Sequence, residues 1–472
     1  MNTSPLRPAA SPSCRLWFLL GLFVLFAVVS VQYSIKVLHN RGAFTRWEGH
    51  VLSSVENGEN GAEAYNYPNP PIMALVLYPL AKMPPVWGAL TWFYVKVGLT
   101  LLAFHWVFRL VETPGRPFPL WARVATVLLS LRPIIGDLHH GNVNLFILFL
   151  VVAALAAFRS RRDLLSGLLL GLAVACKVTP ALFIPYFLWK RQWRVLAGCA
   201  AGLLLFLWPG FVPALALGWN ENQQQVRSWY VEMVYPFVVE GKVTSEHPNQ
   251  SLPGLVTRLA THSPSFSVFV KEADNNEIYT PTEYDNVLNL TPAQARWLVK
   301  GCMALFVLVV VWRCRTPAVP RENWRLSAEF AFILLGMLLF SERTWKHHCV
   351  TLVLPFAVIC YYLATRTMGR WTRWGLVGCL AAVTLLMAST SSGLFADDSA
   401  KAGDVADQFA KQAQVYGAYV WAFLLLAAAL VVLLRRPAAG SDFSSTAAIP
   451  TADNTSDASA SAIPAPILSH GP

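Results

Sequence analysis

The run Ser341-Glu342-Arg343-Thr344-Trp345-Lys346-His347-His348 brings two cations, two imidazoles and a carboxylate together in eight residues. Arginine, lysine and protonated histidine are the side chains that hold a phosphate, and they hold it more strongly where water is scarce. A second run, Arg132-Pro133-Ile134-Ile135-Gly136-Asp137-Leu138-His139-His140-Gly141-Asn142-Val143-Asn144, sets an acid, adjacent imidazoles and two amides between apolar stretches. Lys177 stands in an apolar stretch just before Thr179 and Pro180. An isolated ammonium in such surroundings either snorkels to the surface or meets an anion, of which a phosphate is the obvious candidate. Glu246-His247-Pro248-Asn249-Gln250-Ser251-Leu252 adds groups able to hydrogen-bond hydroxyls, and Arg46 and Glu48 lie in Phe44-Thr45-Arg46-Trp47-Glu48. Plainer readings stand beside these: a solvated cap for 341–348, a structural interface for 132–144, an aromatic-anchored loop after Phe44. Adjacent histidines rarely point at one ion and no third ligand follows at a useful spacing, so no metal is expected.

The elements that must position these residues are dictated by composition. Of 472 residues 55% are hydrophobic and only 13% charged, against roughly 25% charged in ordinary globular chains. A soluble fold is excluded. The apolar residues gather in ten stretches long enough, or nearly so, to span a bilayer: about 16–37, 84–112, 118–135, 142–158, 193–217, 297–313, 326–340, 348–365, 371–393 and 416–434. The expected fold is therefore all-α and polytopic, with about ten transmembrane helices. The net charge of +11 falls in short clusters between these stretches, which argues for membrane lipids and against nucleic acid as a partner. The eight cysteines lie in or beside apolar segments with no CxxC pair, so neither a disulfide framework nor a zinc site is expected.

One further apolar stretch, 164–189, has basic clusters at both ends, Arg159-Ser160-Arg161-Arg162 and Lys190-Arg191 with Arg194. The positive-inside rule keeps both ends in the cytoplasm, so the stretch should enter and return as a re-entrant helical hairpin broken near Lys177-Val178-Thr179-Pro180. Residues 1–15 are then a cytoplasmic N-terminus, 16–435 a transmembrane domain with outer loops 38–83 and 218–295, and 436–472 a disordered cytoplasmic tail rich in Ala, Ser, Thr, Pro and Asp. A short helix over Ile72–Ala81 is expected in the first outer loop, and a loop around Gly136 to Gly141. Every concentration of chemically useful residues falls on the outer face.

Taken together, Tyr67-Pro68-x-Pro70-Pro71, His140-Gly141-Asn142-Val143-Asn144, Lys177-Val178-Thr179-Pro180, Asn249-Gln250-Ser251-Leu252 and Trp345-x-His347-His348 resemble the motifs of glycosyltransferase family 87, in that family's order and across about residues 16–435. The resemblance implies a GT-C-like membrane enzyme of the inner membrane. Its implied reaction moves a sugar, mannose in related enzymes, from a polyprenyl-phosphate donor to a hydroxyl of a lipid or glycan acceptor, with inversion and with neither a nucleotide nor an essential metal or other cofactor. Donor phosphate and sugar contacts would come from Arg46, His139, His140, Asn142, Asn144, Lys177, Asn249, Gln250, Arg343, Lys346, His347 and His348.

The sequence departs from the family's pattern at the base. Such enzymes place an aspartate in the first loop, and here no Asp occurs between Val37 and Pro71. A proton acceptor must come from Glu48 or from Asp137. The missing aspartate leaves a catalytically lapsed member as one alternative. A flippase for a lipid-linked sugar is the other, opposed by the absence of two related halves and by the gathering of polar motifs on one face.

Overall fold

The computed structural model describes residues 12–39, 43–58, 69–271, 277–391 and 405–435, so the predicted 436–472 tail and Tyr67-Pro68 lie outside the described residues. Helix α1 (Pro12–Leu38) is followed by α2 (Ala43–Glu56), α3 (Pro71–Ala81), α4 (Pro85–Val111), α5 (Leu120–His140), α6 (Asn144–Arg159) and α7 (Asp163–Cys176). After a break, a 3₁₀ turn (Thr179–Leu182) leads into α8 (Phe183–Trp189), then α9 (Trp193–Phe206), α10 (Phe211–Leu217) and α11 (Trp219–Trp229), which runs on as a π-helical stretch, Tyr230–Val239. The rest comprises α12 (Leu252–Ala260), strands β1 (Phe266–Lys271) and β2 (Glu277–Glu283), α13 (Pro292–Arg313), α14 (Trp324–Leu339), a 3₁₀ turn (Lys346–Leu352) entering α15 (Val353–Thr365), α16 (Arg370–Ser389), α17 (Val405–Val415) and α18 (Ala418–Leu433). The antiparallel pair β1–β2 amends the all-α expectation.

Among the described residues, six helical segments are long and apolar enough to cross a membrane: Leu19–Leu38, Pro85–Val111, Trp193–Leu217, Pro292–Arg313, Lys346–Thr365 and Arg370–Ser389. The pair Asp407–Val415 and Ala418–Leu433, bent by 54°, makes a seventh if it counts as one span. The expected ten is not confirmed among the described residues, for visible reasons. Helices α6 and α14 have 16 residues each and are buried along most of their length, so protein rather than lipid surrounds them. Helix α5 has 21 residues but carries Arg123, Arg132 and Asp137 and ends in His139-His140.

That helix also corrects the loop expected at Gly136 to Gly141, since it stays helical to His140. It ends at Gly141, whose φ of 71° is the left-handed conformation that glycine tolerates best. A Cβ at Gly141 would also meet the Tyr33 hydroxyl at 2.6 Å and the backbone nitrogen of Phe44 at 3.4 Å. This contact fixes the start of α2 beside the histidine turn.

The break expected near Lys177 is present. Helix α7 stops at Cys176, Lys177 is extended (φ −159°, ψ 125°), and Pro180 sits in the first turn of the 3₁₀ segment, where its missing N–H and fixed φ do least harm. The basic clusters at either end form matching Schellman turns. Arg161 N and Arg162 N donate to Phe158 O and Ala157 O, as Arg191 N and Gln192 N do to Leu188 O and Phe187 O, with Arg161 and Arg191 in the left-handed region.

Helices α7 and α9 pack in the same direction. A Cβ added to Gly167 would lie 2.0 Å from Val195 O, one on Gly198 would lie 2.3 Å from Leu164 O, and Gly171 abuts Gly202. Two glycines four residues apart on each helix let the backbones touch, a device for holding helices together in lipid. With α7 and α9 parallel, the chain between them has to turn back, as a re-entrant pair would. Gly198→Val should therefore force the helices apart and lower stability by roughly 1–3 kcal/mol. Gly98→Val on α4, where nothing lies within 4 Å, should leave the unfolding temperature in detergent unchanged.

Candidate functional site

The polar centre of the bundle is a chain of side chains linking α4, α5, α6 and the break after α7. Lys96 lies in the middle of α4, with Lys96 and Asp137 both fully buried and their Nζ and Oδ2 3.3 Å apart. The same ammonium donates to the backbone oxygens of Asp137 and Asn142, both at 3.0 Å. Asn144 Nδ2 donates to Asp137 Oδ1 at 2.9 Å, and Lys177 Nζ donates to Asn144 Oδ1 at 2.6 Å. Both carboxylate oxygens of Asp137 are thereby occupied. Asp137 ties Lys96 of α4 to Asn144 of α6.

Lys177 is half-buried and borders a cleft shared with Asn144, Thr179, Ser341, Thr344 and His348. Beside it the predicted histidines converge. The ring centroids of His140 and His347 are 5.1 Å apart, those of His347 and His348 4.7 Å, and those of His139 and His140 6.2 Å. His347 is buried and His140 exposed, so the group spans the boundary between core and surface.

Lys346 does not join them. Successive residues of a 3₁₀ turn point about 120° apart, and Lys346 Nζ instead donates to Thr390 O at 3.1 Å. There it meets Arg132, whose Nη2 and Nε donate to Thr390 Oγ1 at 3.2 Å and the Tyr419 hydroxyl at 3.3 Å. Arg343 also turns away, donating through Nε to Thr244 Oγ1 at 2.9 Å and lying 2.9 Å from Glu342 Oε1. Burial raises the Glu342 carboxyl above its ordinary value, against the pull of Arg343 and Lys177.

Asn249 and Gln250 reach the site as struts. Asn249 Nδ2 donates to Thr244 O and Glu342 O, both at 2.8 Å, while its Oδ1 accepts from Ser251 N at 3.1 Å and Thr344 N at 3.0 Å. Gln250 Nε2 donates to His247 O and Gln414 O, and its Oε1 accepts from Tyr419 N. Their amides are fully used on backbone, so they hold the 341–345 loop in place. Ser251 caps α12 by accepting from Gly254 N at 3.1 Å. That helix delivers the fully buried Arg258, which donates to the backbone oxygens of Ser245, Glu246, Asn249, Gln414 and Val415. Burial lowers the Arg258 guanidinium to about 10.

Glu48 is half-buried on α2, one turn beyond Phe44, whose backbone nitrogen lies against Gly141 and whose ring lies against Gly88. It has no hydrogen-bond or ion-pair partner among the described residues, and burial raises its carboxyl above the ordinary glutamate value. The side chain of Arg46 lies outside the described residues. Among the described residues no three His, Cys, Asp or Glu side chains group as metal ligands. Lys96, Arg132 and Arg258 were not anticipated as site residues. A lone charge inside a span was the available signal for Lys96 and Arg132; nothing local marked Arg258.

The sequence model of Glycosyltransferase family 87 matches residues 67–341. A Mycolicibacterium smegmatis protein, "Polyprenol-phosphate-mannose-dependent alpha-(1-2)-phosphatidylinositol mannoside mannosyltransferase", is 28% identical over 319 residues, 64% of this chain and 63% of the relative. Its "pentamannoside mannosyltransferase" counterpart from the same organism is 26% identical over 290 residues, 60% and 58% of the two chains. An "Alpha-(1->3)-arabinofuranosyltransferase" of Corynebacterium glutamicum is 27% identical over 273 residues, 54% and 61%. The chain thus spans about three-fifths of the length of these curated relatives. No solved structure matches it.

Proposed function

We propose, from the premise that the chain belongs to glycosyltransferase family 87, that it is a multi-pass membrane glycosyltransferase using a polyprenyl-phosphate sugar. The acceptor is a lipid or glycan hydroxyl. Mannose is the sugar that two of the relatives' names carry. The carrying observation is that Lys177, at a helix break, and His348 line one cleft, with the His347 ring 4.7 Å from that of His348.

In the reaction the acceptor oxygen bonds to the anomeric carbon as the bond from that carbon to the phosphate oxygen breaks. The phosphate leaves with the electron pair, and the acceptor proton passes to a carboxylate. The leaving group gains charge as it departs, so cations fixed in a water-poor site stabilise the transition state more than the ground state. Lys177 supplies a point charge for it, His347 and His348 supply N–H donors, and Asn144 holds Lys177 in place. His139, His140 and Asn142 border the sugar. Arg46, Arg343 and Lys346 serve the approach to the donor rather than the departing phosphate. Asn249 and Gln250 fix the loop carrying the histidines. The base is Glu48, on the helix that starts beside the Gly141 turn.

The membrane is the bacterial-type inner membrane, with the reacting face outward and the basic turns Arg159–Arg162 and Lys190–Arg194 inward. Both chain ends lie on that inner side. Re-entrant backbone at Lys177 suits this arrangement, because non-helical chain at membrane depth needs a cavity to line.

Purified protein given polyprenyl-phosphate-mannose and a lipid acceptor should form the mannosylated product; uptake of donor across vesicles without product would replace the enzyme reading. Lys177→Met should weaken donor binding roughly 10–100-fold, the worth of a hydrogen bond to a charged group. Unchanged donor affinity in that variant would remove Lys177 from the phosphate site.

A further inference from the structure

A cavity of about 570 Å³ opens at the far end of α6 from Asn144. The 16 residues of α6 separate the two places by about 24 Å, so the cavity is no part of the candidate site. Arg109 at the end of α4, Arg159 at the end of α6 and Arg162 just before α7 form its rim. Arg159 is anchored, donating to Leu110 O at 3.0 Å and Glu112 O at 2.8 Å. Arg109 and Arg162 are exposed and have no hydrogen-bond or ion-pair partner among the described residues. Of the two acids on the rim, Glu112 is held by Arg123 at 2.7 Å and by Phe118 N. Glu322 is the other, leaving the arginines in excess.

Below the rim the walls are apolar. Ala153, Ala156 and Ala157 present one face of α6 as a shallow floor, with Trp106 of α4 and Leu165 of α7 on either side. The outer surfaces of the flanking helices are exposed and apolar, Leu101 at 54%, Leu102 at 47% and Leu164 at 60%. With six membrane-long helices among the described residues, these are surfaces for acyl chains. A slot that is apolar below and rimmed by unpartnered guanidinium groups fits an amphiphile with an anionic head, and such basic pockets between membrane helices select acidic lipids. A free phosphate would use the rim but not the alanine floor.

We propose that this cavity binds an anionic phospholipid, with its phosphate between Arg109 and Arg162 and an acyl chain along the alanine face of α6. The test is native mass spectrometry of the full chain in detergent, titrated with phosphatidylglycerol or phosphatidylcholine. Saturable retention of phosphatidylglycerol over phosphatidylcholine is expected. Arg109→Gln/Arg162→Gln should weaken it roughly thirty-fold, two surface arginines' worth, and Ala156→Leu should weaken it by filling the floor. Arg161→Gln removes an equal charge outside the cavity and should leave binding within twofold; a loss equal to that of Arg162→Gln would reduce the site to diffuse attraction and overturn the proposal. Glycerol phosphate or inorganic phosphate displacing the lipid at equal concentration would overturn it too, in favour of a free-anion site. The readout is lipid retention and not sugar transfer, so the result stands apart from the catalytic reading.

Discussion

Asp137→Ala should cost the folded protein about 3–5 kcal/mol, the usual effect of removing one partner from a buried ion pair. Lys96 and Asp137 are both inaccessible to solvent, and without the carboxylate the Lys96 ammonium keeps only the backbone oxygens of Asp137 and Asn142. Those dipoles cannot replace a full negative charge in a water-poor interior. Asn144 would lose its acceptor in the same step, and with it the fixed orientation of the oxygen that receives Lys177. The double variant Lys96→Met/Asp137→Leu removes both charges at similar volume and should recover most of the loss, because the cost lies in the unpaired charge. Denaturant unfolding in micelles reads both. If Asp137→Ala proved as stable as the wild type while turnover collapsed, Asp137 would be the base and not a positioning residue.

Lys96 illustrates what the sequence leaves hidden. It is 41 residues from Asp137, and spacing within a helix says nothing about a partner on another helix. What was legible were features with local physical causes. A lysine followed by proline in an apolar run marks a broken helix, and the break stands at Lys177. The short helix after the prolines of the first loop stands at Pro71–Ala81. Illegible were choices made by tertiary packing. Asn249 and Gln250 have the right groups to bind hydroxyls, but the same amide groups match backbone N–H and C=O, and the buried loop takes them all. Arg343, Lys346, His347 and His348 look like one cationic cluster in sequence. The 3₁₀ geometry divides them, sending Lys346 to Thr390 and leaving His347 and His348 near Lys177. The glycine pairs on α7 and α9 acquire meaning only once the helices are known to run side by side.

Glu48→Gln should reduce turnover by roughly 10²–10⁴ with donor binding intact, the contribution of a general base. The three candidate acids differ in what holds them. Asp137 has both oxygens engaged by Lys96 and Asn144. Glu342 lies 2.9 Å from Arg343 and feels the charge of Lys177 as well, so it is engaged by cations. Glu48 alone of the three is without a partner among the described residues, and its helix begins against Gly141. Burial raises its carboxyl, which makes it a stronger base than a solvated glutamate once deprotonated. The sign of the pH dependence follows: the carboxylate is the active form, so turnover should fall as pH drops through the raised Glu48 value, and that limb should lie above the ordinary glutamate value. Glu48→Gln should abolish the limb along with the activity, whereas Glu342→Gln should keep the limb and chiefly alter donor affinity. A Glu48→Gln enzyme that keeps full turnover and the same acid limb would take the base away from α2 altogether.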